Sequence, residues 1–386
     1  MNRVSVLAIV CLTPAAAQFG EDVAFLARHA DVVVLSDAAG KAQVAVAPAW
    51  QGRVMTSTDG GAGGISYGWI NRDLIASRKL VPHMNPFGGE DRFWMGPEGG
   101  QFSVFFPKGA KFNLEYWQTP APIDSEAYTV AGKQRDRVRF EKRFGLTNYS
   151  GATFNVALDR EIRLLGPADL WAKLGVAAPD GVSAVAYESI NRVSNAGKTA
   201  WSEKTGLLSI WILGMYNASP ATTVVIPLRE GGSGGVTDDY FGKVPATRLK
   251  NDGKTVFFRS DGKYRSKIGV SPRRATPVLG SYDAKTGVLT IVQFTLPARG
   301  TRYVNSQWKL QDDPFAGDAI NSYSDDGKMG AFYELETSSP AAALGPGETI
   351  EHVHRTVHLR GSASALDAIA KTVLGASLRE IRTALP

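Results

Sequence analysis

The feature that most constrains this chain is its succession of short, strand-like segments punctuated by turn residues. Runs at 42–47, 101–106, 137–144, 153–164, 206–213, 222–227, 255–260, 287–296, 331–337 and 349–359 are rich in β-branched and aromatic residues. Several alternate with period two. Val138, Phe140 and Lys142 fall on one side and Arg137, Arg139 and Glu141 on the other, which puts one face in a core. Asp252-Gly253, Asp261-Gly262, Lys285-Thr286-Gly287 and Pro346-Gly347 supply turns between runs. Helical spacing occurs near the two ends, at 21–30 ahead of a short buried strand at 32–35, and at 365–384. No solenoid or propeller repeat is present, and similar strands continue on both sides of the glycine-rich run 231–235. The expectation is one all-β domain over residues 18–386, a large antiparallel β-sandwich with a few short helices and a C-terminal helix.

Composition sets broad limits. With 44% hydrophobic and 21% charged residues the chain can bury a core, so gross disorder is excluded. Its net charge of +6 arises from 43 basic and 37 acidic residues spread along the chain, and Arg273-Arg274 is too short a run to bind nucleic acid. The N-terminus reads as an export signal. Arg3 precedes an apolar stretch from Val4 to Leu12, and Pro14-Ala15-Ala16-Ala17 offers a cleavage site after Ala17. That stretch is too short for a membrane span. Cys11 is the only cysteine and lies within it, so the mature chain, residues 18–386, would hold no disulfide, thiol nucleophile or thiolate metal site. A periplasmic or extracellular protein without a membrane anchor is expected.

Chemistry concentrates in Asn85–Gln101. Glu90, Asp91, Arg92, Trp94, Glu98 and Gln101 lie there among glycines and prolines that argue against regular structure. Carboxylates and an arginine can hydrogen-bond paired hydroxyls, while an indole covers the C–H face of a sugar ring. The same charges are also what a self-paired turn would contain. His83 adjoins this segment. A second group, Tyr303, Asn305, Gln307, Trp308, Gln311, Asp318, Asn321, Tyr323 and Asp325, interleaves polar groups with aromatics as a glycan surface does, or as an irregular loop does. Lys263–Lys267 offers cations to a uronate, or a solvated strand face. Trp69 and Trp211 read as packing residues. His352, His354 and His358 share one strand face, where outward projection is expected ahead of metal binding.

The segment Ala331-Phe-Tyr-Glu-Leu-Glu-Thr337, with Pro346-Gly347-Glu348 and the strand holding His352, His354 and His358, resembles the C-terminal end of the aldose 1-epimerase (galactose mutarotase-like) superfamily. Residues 51–58 resemble the strand after that superfamily's first hairpin, and residues 186–195 and 211–215 resemble an uncharacterised secreted branch. The resemblance implies a β-supersandwich, a sugar pocket on one face of the larger sheet, and ring opening by a glutamate base and a histidine acid without a cofactor. By motif position the base is Glu336. Its neighbour Glu334 either shares a proton with it or pairs with a buried arginine such as Arg53 or Arg92. Where the family places an Asn-His motif this chain has Ile190-Asn191-Arg192, which moves the acid role to His83 or to the His352/His354 strand.

The expected site therefore comprises Glu336 and His83 as catalytic groups, with Arg53, Glu90, Asp91, Arg92, Trp94, Glu98, Asn191 and Trp308 binding a mono- or oligosaccharide, and no metal. A non-catalytic glycan-binding protein would use the same pocket. So would a polysaccharide lyase or glycoside hydrolase, for which Tyr264 and Arg265 are candidates.

Overall fold

The computed structural model describes residues 17–231, 235–298 and 302–386. The expected export signal, apart from Ala17, lies outside the described residues. Among the described residues three antiparallel sheets form. The largest has ten strands in the order Leu249–Asn251, Thr255–Arg259, Thr222–Pro227, Val278–Asp283, Val288–Phe294, Thr349–Arg360, Ser183–Asn195, Thr153–Leu164, Arg137–Thr147 and Thr129–Lys133. The second has six, in the order Val236–Thr237, Ser266–Val270, Ile320–Ser324, Phe332–Ser338, Ser209–Asn217 and Arg92–Gly96. A three-stranded sheet, Val33–Ser36, Gln43–Ala47 and Arg53–Thr58, completes the set.

Alternation explains how the two large sheets stack. Phe93, Ile212, Tyr333 and Leu335 project from the six-stranded sheet into a buried core with Phe140, Tyr187, Val224 and Val292 of the ten-stranded sheet. The intervening residues of those same strands, Arg92, Trp94, Trp211, Glu334 and Glu336, leave on the opposite face. The ten-stranded sheet is apolar on its other face too. There Val225, Ile291 and Val357 receive Leu366, Ile369, Leu374 and Ile381. These last come from two helices, Ala363–Leu374 and Leu378–Thr383, where one helix over 365–384 was expected. The break is local chemistry: Gly375 adopts a left-handed φ of 67°, and Ser377 with Glu380 starts the next helix as a capping box.

Three further expectations change. Residues 101–106 form turns: Val104, Phe105 and Phe106 are buried as a loop, in which the Val104 amide donates to the Pro97 carbonyl and the Phe105 amide to Ser103 Oγ. Arg92–Gly96, inside the segment read as irregular, is the edge strand of the six-stranded sheet. The C-terminal strand Thr349–Arg360 is central in its sheet, so His352, His354 and His358 point inward and are at most 1% exposed. Thr337 Oγ1 lies 2.9 Å from both His352 Nε2 and His354 Nδ1. Among the described residues no group of three His, Cys, Asp or Glu side chains is arranged to hold a metal ion. No helix of the described residues is long and apolar enough to cross a membrane.

Candidate functional site

A pocket of about 340 Å³ opens on the outer face of the six-stranded sheet. Strand register builds its floor. Asn321, Glu336, Leu213 and Arg92 pair in one row across four strands, and Lys267, Tyr323, Glu334 and Met215 form the adjacent row. Trp211 pairs with Trp94 one row further on. Because these positions are two residues apart on their strands, all share the outer face. Loops raise the walls with Glu98, Trp117, Phe241, Trp308 and Met329.

The floor is a network of charge and indole. Glu334 Oε1 accepts from Arg92 Nη2 at 2.7 Å. Glu336 Oε2 accepts from Lys267 Nζ and from Trp211 Nε1, each at 3.0 Å. Each cation also covers an aromatic face: Lys267 Nζ is 4.6 Å from the Trp211 ring centre, and the Arg92 guanidinium is 4.4 Å from Trp94. Trp94 meets Trp211 edge-on at 5.5 Å, and Trp117 stacks with Trp308 at 5.6 Å. Four indoles thus line one side of the pocket.

Electrostatics separate the three carboxyls. Burial pushes the Glu98 carboxyl above its ordinary range; Lys267 opposes the push and Glu336 adds to it. Burial raises Glu334 as well, against the pull of Arg92 and with Glu336 again adding. Burial draws the Lys267 ammonium down, but Glu336, Glu98 and Glu334 outweigh it and the net shift is upward. Glu334 and Glu336 each hold a cation within 3.0 Å, whereas Glu98 has no such ion pair among the described residues. Some polar atoms lack partners. Glu336 Oε1, Trp94 Nε1 and Trp117 Nε1 are buried without a hydrogen bond among the described residues. Trp94 and Trp117 line the pocket and Glu336 lies beneath it, and all three atoms are closed off from solvent.

Of the residues expected at the site, Arg92, Trp94, Glu98 and Trp308 line this pocket, and Glu336 lies under it behind Lys267 and Trp211. The others go elsewhere. Glu90 is in the interior, where its carboxylate accepts from Ser57, from Tyr187 at 3.1 Å and lies 3.0 Å from His358 Nε2. Asp91 pairs with Arg160 at 2.6 Å between the sheets, and Asn191 accepts from the same guanidinium. Arg53 is spent on Gly88 and Asp124 carbonyls and on Gln51. None of these four lines the pocket: Glu90, Asp91 and Asn191 bond on the inner side of the six-stranded sheet, and Arg53 is buried at the start of its strand in the three-stranded sheet. Gly88 and Gly89, at φ of 96° and 108°, bend the chain so that Glu90 enters the core before the strand begins at Arg92. His83 turns its Nδ1 to the Trp117 carbonyl at 2.7 Å and does not line the pocket.

Trp117 and Phe241 were not considered from sequence, Lys267 was weighed only within the run 263–267 as a cation for a uronate or a solvated strand face, and Trp211 only as packing. Lys267 had a signal, a lysine between the apolar positions of a short strand, Ser266–Val270, all of which is buried. Trp211 is both platform and donor, where packing alone was expected. From the second polar group, Trp308, Tyr323 and Asp325 reach the pocket, while Tyr303 is core and Gln311 ties loops together through Gln101. Arg265 lines the pocket, lying 3.7 Å from the centre of the Phe241 ring, and Tyr264 is exposed outside it.

Solved structures share this architecture. The Slr1438 protein of Synechocystis sp. PCC 6803 superposes with a TM-score of 0.54 at 14% identity, covering 86% of this chain and 96% of that one. A candidate aldose 1-epimerase of Escherichia coli K12 gives 0.51 at 11% identity, covering 86% and 99%. The fold is therefore the galactose mutarotase-like β-supersandwich. No curated protein matches the sequence. A family model, described as a family of unknown function (DUF6786), matches residues 17–385, and the chain belongs to that family.

Proposed function

We propose that this is an exported carbohydrate-active protein that binds a sugar in the six-stranded-sheet pocket and exchanges its anomers, with Glu336 as general base. The observation that carries this reading is the Glu336 carboxylate. It is fully buried at the pocket floor, with Oε2 fixed by Lys267 and Trp211 and Oε1 without a partner. A base needs one oxygen held and one without a partner, and this residue has both; since both lie under the pocket lining, a sugar meets Oε1 only when that lining shifts. The surrounding indoles suit the C–H face of a pyranose, and the unpartnered Trp94 and Trp117 N–H groups suit its hydroxyls.

Anomer exchange also needs a proton at the ring oxygen. Glu98 supplies it in this reading, since it lines the pocket, is raised by burial and has no cation of its own. Glu336 takes the proton from the anomeric hydroxyl, Glu98 protonates the ring oxygen, the ring opens, and closure on the other face returns both protons. Lys267 holds the Glu336 carboxylate in place and offsets the charge of the three glutamates.

A proton NMR time course of freshly dissolved glucose and galactose tests this directly. Anomer exchange above the spontaneous rate is expected with the native chain, falling at least about a hundredfold in Glu336→Gln, the lower end of what a general base contributes. Equal exchange in the variant removes Glu336 from the mechanism. Sugar binding without exchange in the native chain favours the glycan-binding reading, for which the placement of His83 outside the pocket lining is the supporting observation.

A further inference from the structure

The pocket is longer than one sugar. Along the Phe332–Ser338 strand the outward positions are Phe332, Glu334, Glu336 and Ser338, and Ser338 is the register partner of Trp211. Six residues of extended chain separate the Phe332 row from the Trp211 row, about 20 Å at the backbone. Across the strands, from Lys267 to Arg92, the floor takes four interstrand steps, about 19 Å. Each span is several times the width of a pyranose ring.

The chemistry along this length is arranged in three parts. Indoles of Trp211 and Trp308 occupy one end, the carboxyl–lysine centre lies in the middle, and a separate aromatic group occupies the other end. That second group is Phe332 with Tyr323 at 5.9 Å, and Phe241 with Tyr323 at 6.0 Å. It is not needed for chemistry at Glu336. Its rim carries Met329, 37% exposed, an apolar side chain at the pocket mouth. The cations nearby are already engaged: Arg92 with Glu334, Lys267 with Glu336, Lys328 with Asp326 at 2.7 Å, and Arg265 with one face of the Phe241 ring at 3.7 Å and with Tyr323. A ligand at the second platform is therefore recognised through ring faces and hydroxyls more than through negative charge.

We infer that the site takes the reducing end of a neutral oligosaccharide of at least two rings, the terminal ring over Glu336 against Trp211 and the next ring on the Phe241–Phe332 platform. This rests on the sugar-site reading above and specifies its substrate class.

The test is a binding comparison by tryptophan fluorescence with glucose, cellobiose and cellotriose, and with galactose, galactobiose and galactotriose. In at least one series the disaccharide binds tenfold or more tighter than its monosaccharide. In Phe241→Ala, a half-buried position, that ratio falls toward one, and Met329→Ala lowers it less. The ratio is the readout because both sugars report on the same folded fraction, so a general loss of folded protein leaves it unmoved. Equal affinities for mono- and disaccharide in both series overturn this inference and leave the sugar-site reading standing. So does a disaccharide advantage that survives intact in Phe241→Ala. Absence of binding in both series overturns the two together.

Discussion

Two buried polar clusters flank the six-stranded sheet, and the segment from Asn85 to Gln101 feeds both. On the inner side Glu90 and Asp91 join Arg160, Asn191, Tyr187 and the histidines of the central strand. On the outer side Arg92, Trp94 and Glu98 join Lys267, Glu334 and Glu336. Residue types and burial are much the same. The difference is access. Inner groups bond layer to layer and close the space between the sheets, so they act as fasteners. Outer groups bond along one sheet face and border a cavity, so their spare hydrogen-bonding capacity is open to a ligand. A buried ion pair alone does not mark a functional site; a buried ion pair beside open volume is the better sign.

Removing one fastener tests the inner cluster most severely. Asp91→Ala leaves the Arg160 guanidinium buried without its carboxylate, and a stability loss of about 3–5 kcal/mol is expected in urea unfolding. A loss below about 1 kcal/mol would mean the inner cluster does not hold the layers. Acid probes the same cluster more gently. Burial holds His352 and His354 down to about 3 and about 4, His354 lying also within reach of Asp91, which raises it, and Arg160, which lowers it. In the unfolded chain both titrate near 6.5, so between that pH and about 4 the unfolded state binds more protons. Stability then falls as pH drops below about 6.5, by up to about 1.4 kcal/mol per pH unit for each histidine, and levels off below about 3. Because the raised Glu98, Glu334 and Asp318 carboxyls act in the opposite sense, the pair is read directly: protonation of either imidazole at pH 5 in the folded protein, seen in its ring-proton shifts, would contradict neutral burial. Glu336→Gln sharpens the contrast from the other side. It should cost only about 1–2 kcal/mol of stability, since Glu98 and Glu334 still surround Lys267, while the proposed anomer exchange falls at least about a hundredfold.

Much of the frame was legible in the sequence, and the reasons are specific. Thr153–Leu164 and Thr222–Pro227 end where expected, because alternating residues and turn signals bound them on both sides. Ser209–Asn217 came out displaced, since all but its last residue are buried and no alternation marks its register. Ile320–Ser324 was hidden by its Asn-Ser-Tyr-Ser composition; these polar residues are buried in a sheet that has the pocket on one face and the core on the other. Arg92–Gly96 was hidden by the glycines and prolines around it. At the site, the short-range clustering of Arg92, Trp94 and Glu98 was readable, as was the Glu334/Glu336 pair. What sequence spacing cannot say is on which side of a sheet Glu90 and Asp91 leave the chain, because two left-handed glycines decide it. Nor can it bring Lys267 to Glu336, 69 residues away, without the strand order.

The proposed function requires a sugar in the outer pocket of the six-stranded sheet. The most direct measurement is an indole N–H spectrum of the protein labelled with nitrogen-15 at its eight tryptophans, recorded with and without cellobiose and galactobiose. With a bound sugar the resonances of Trp94, Trp117, Trp211 and Trp308 should move, while Trp50, Trp171 and Trp201, which pack elsewhere, stay in place. Shifts confined to the second set, or none with either sugar, would contradict it.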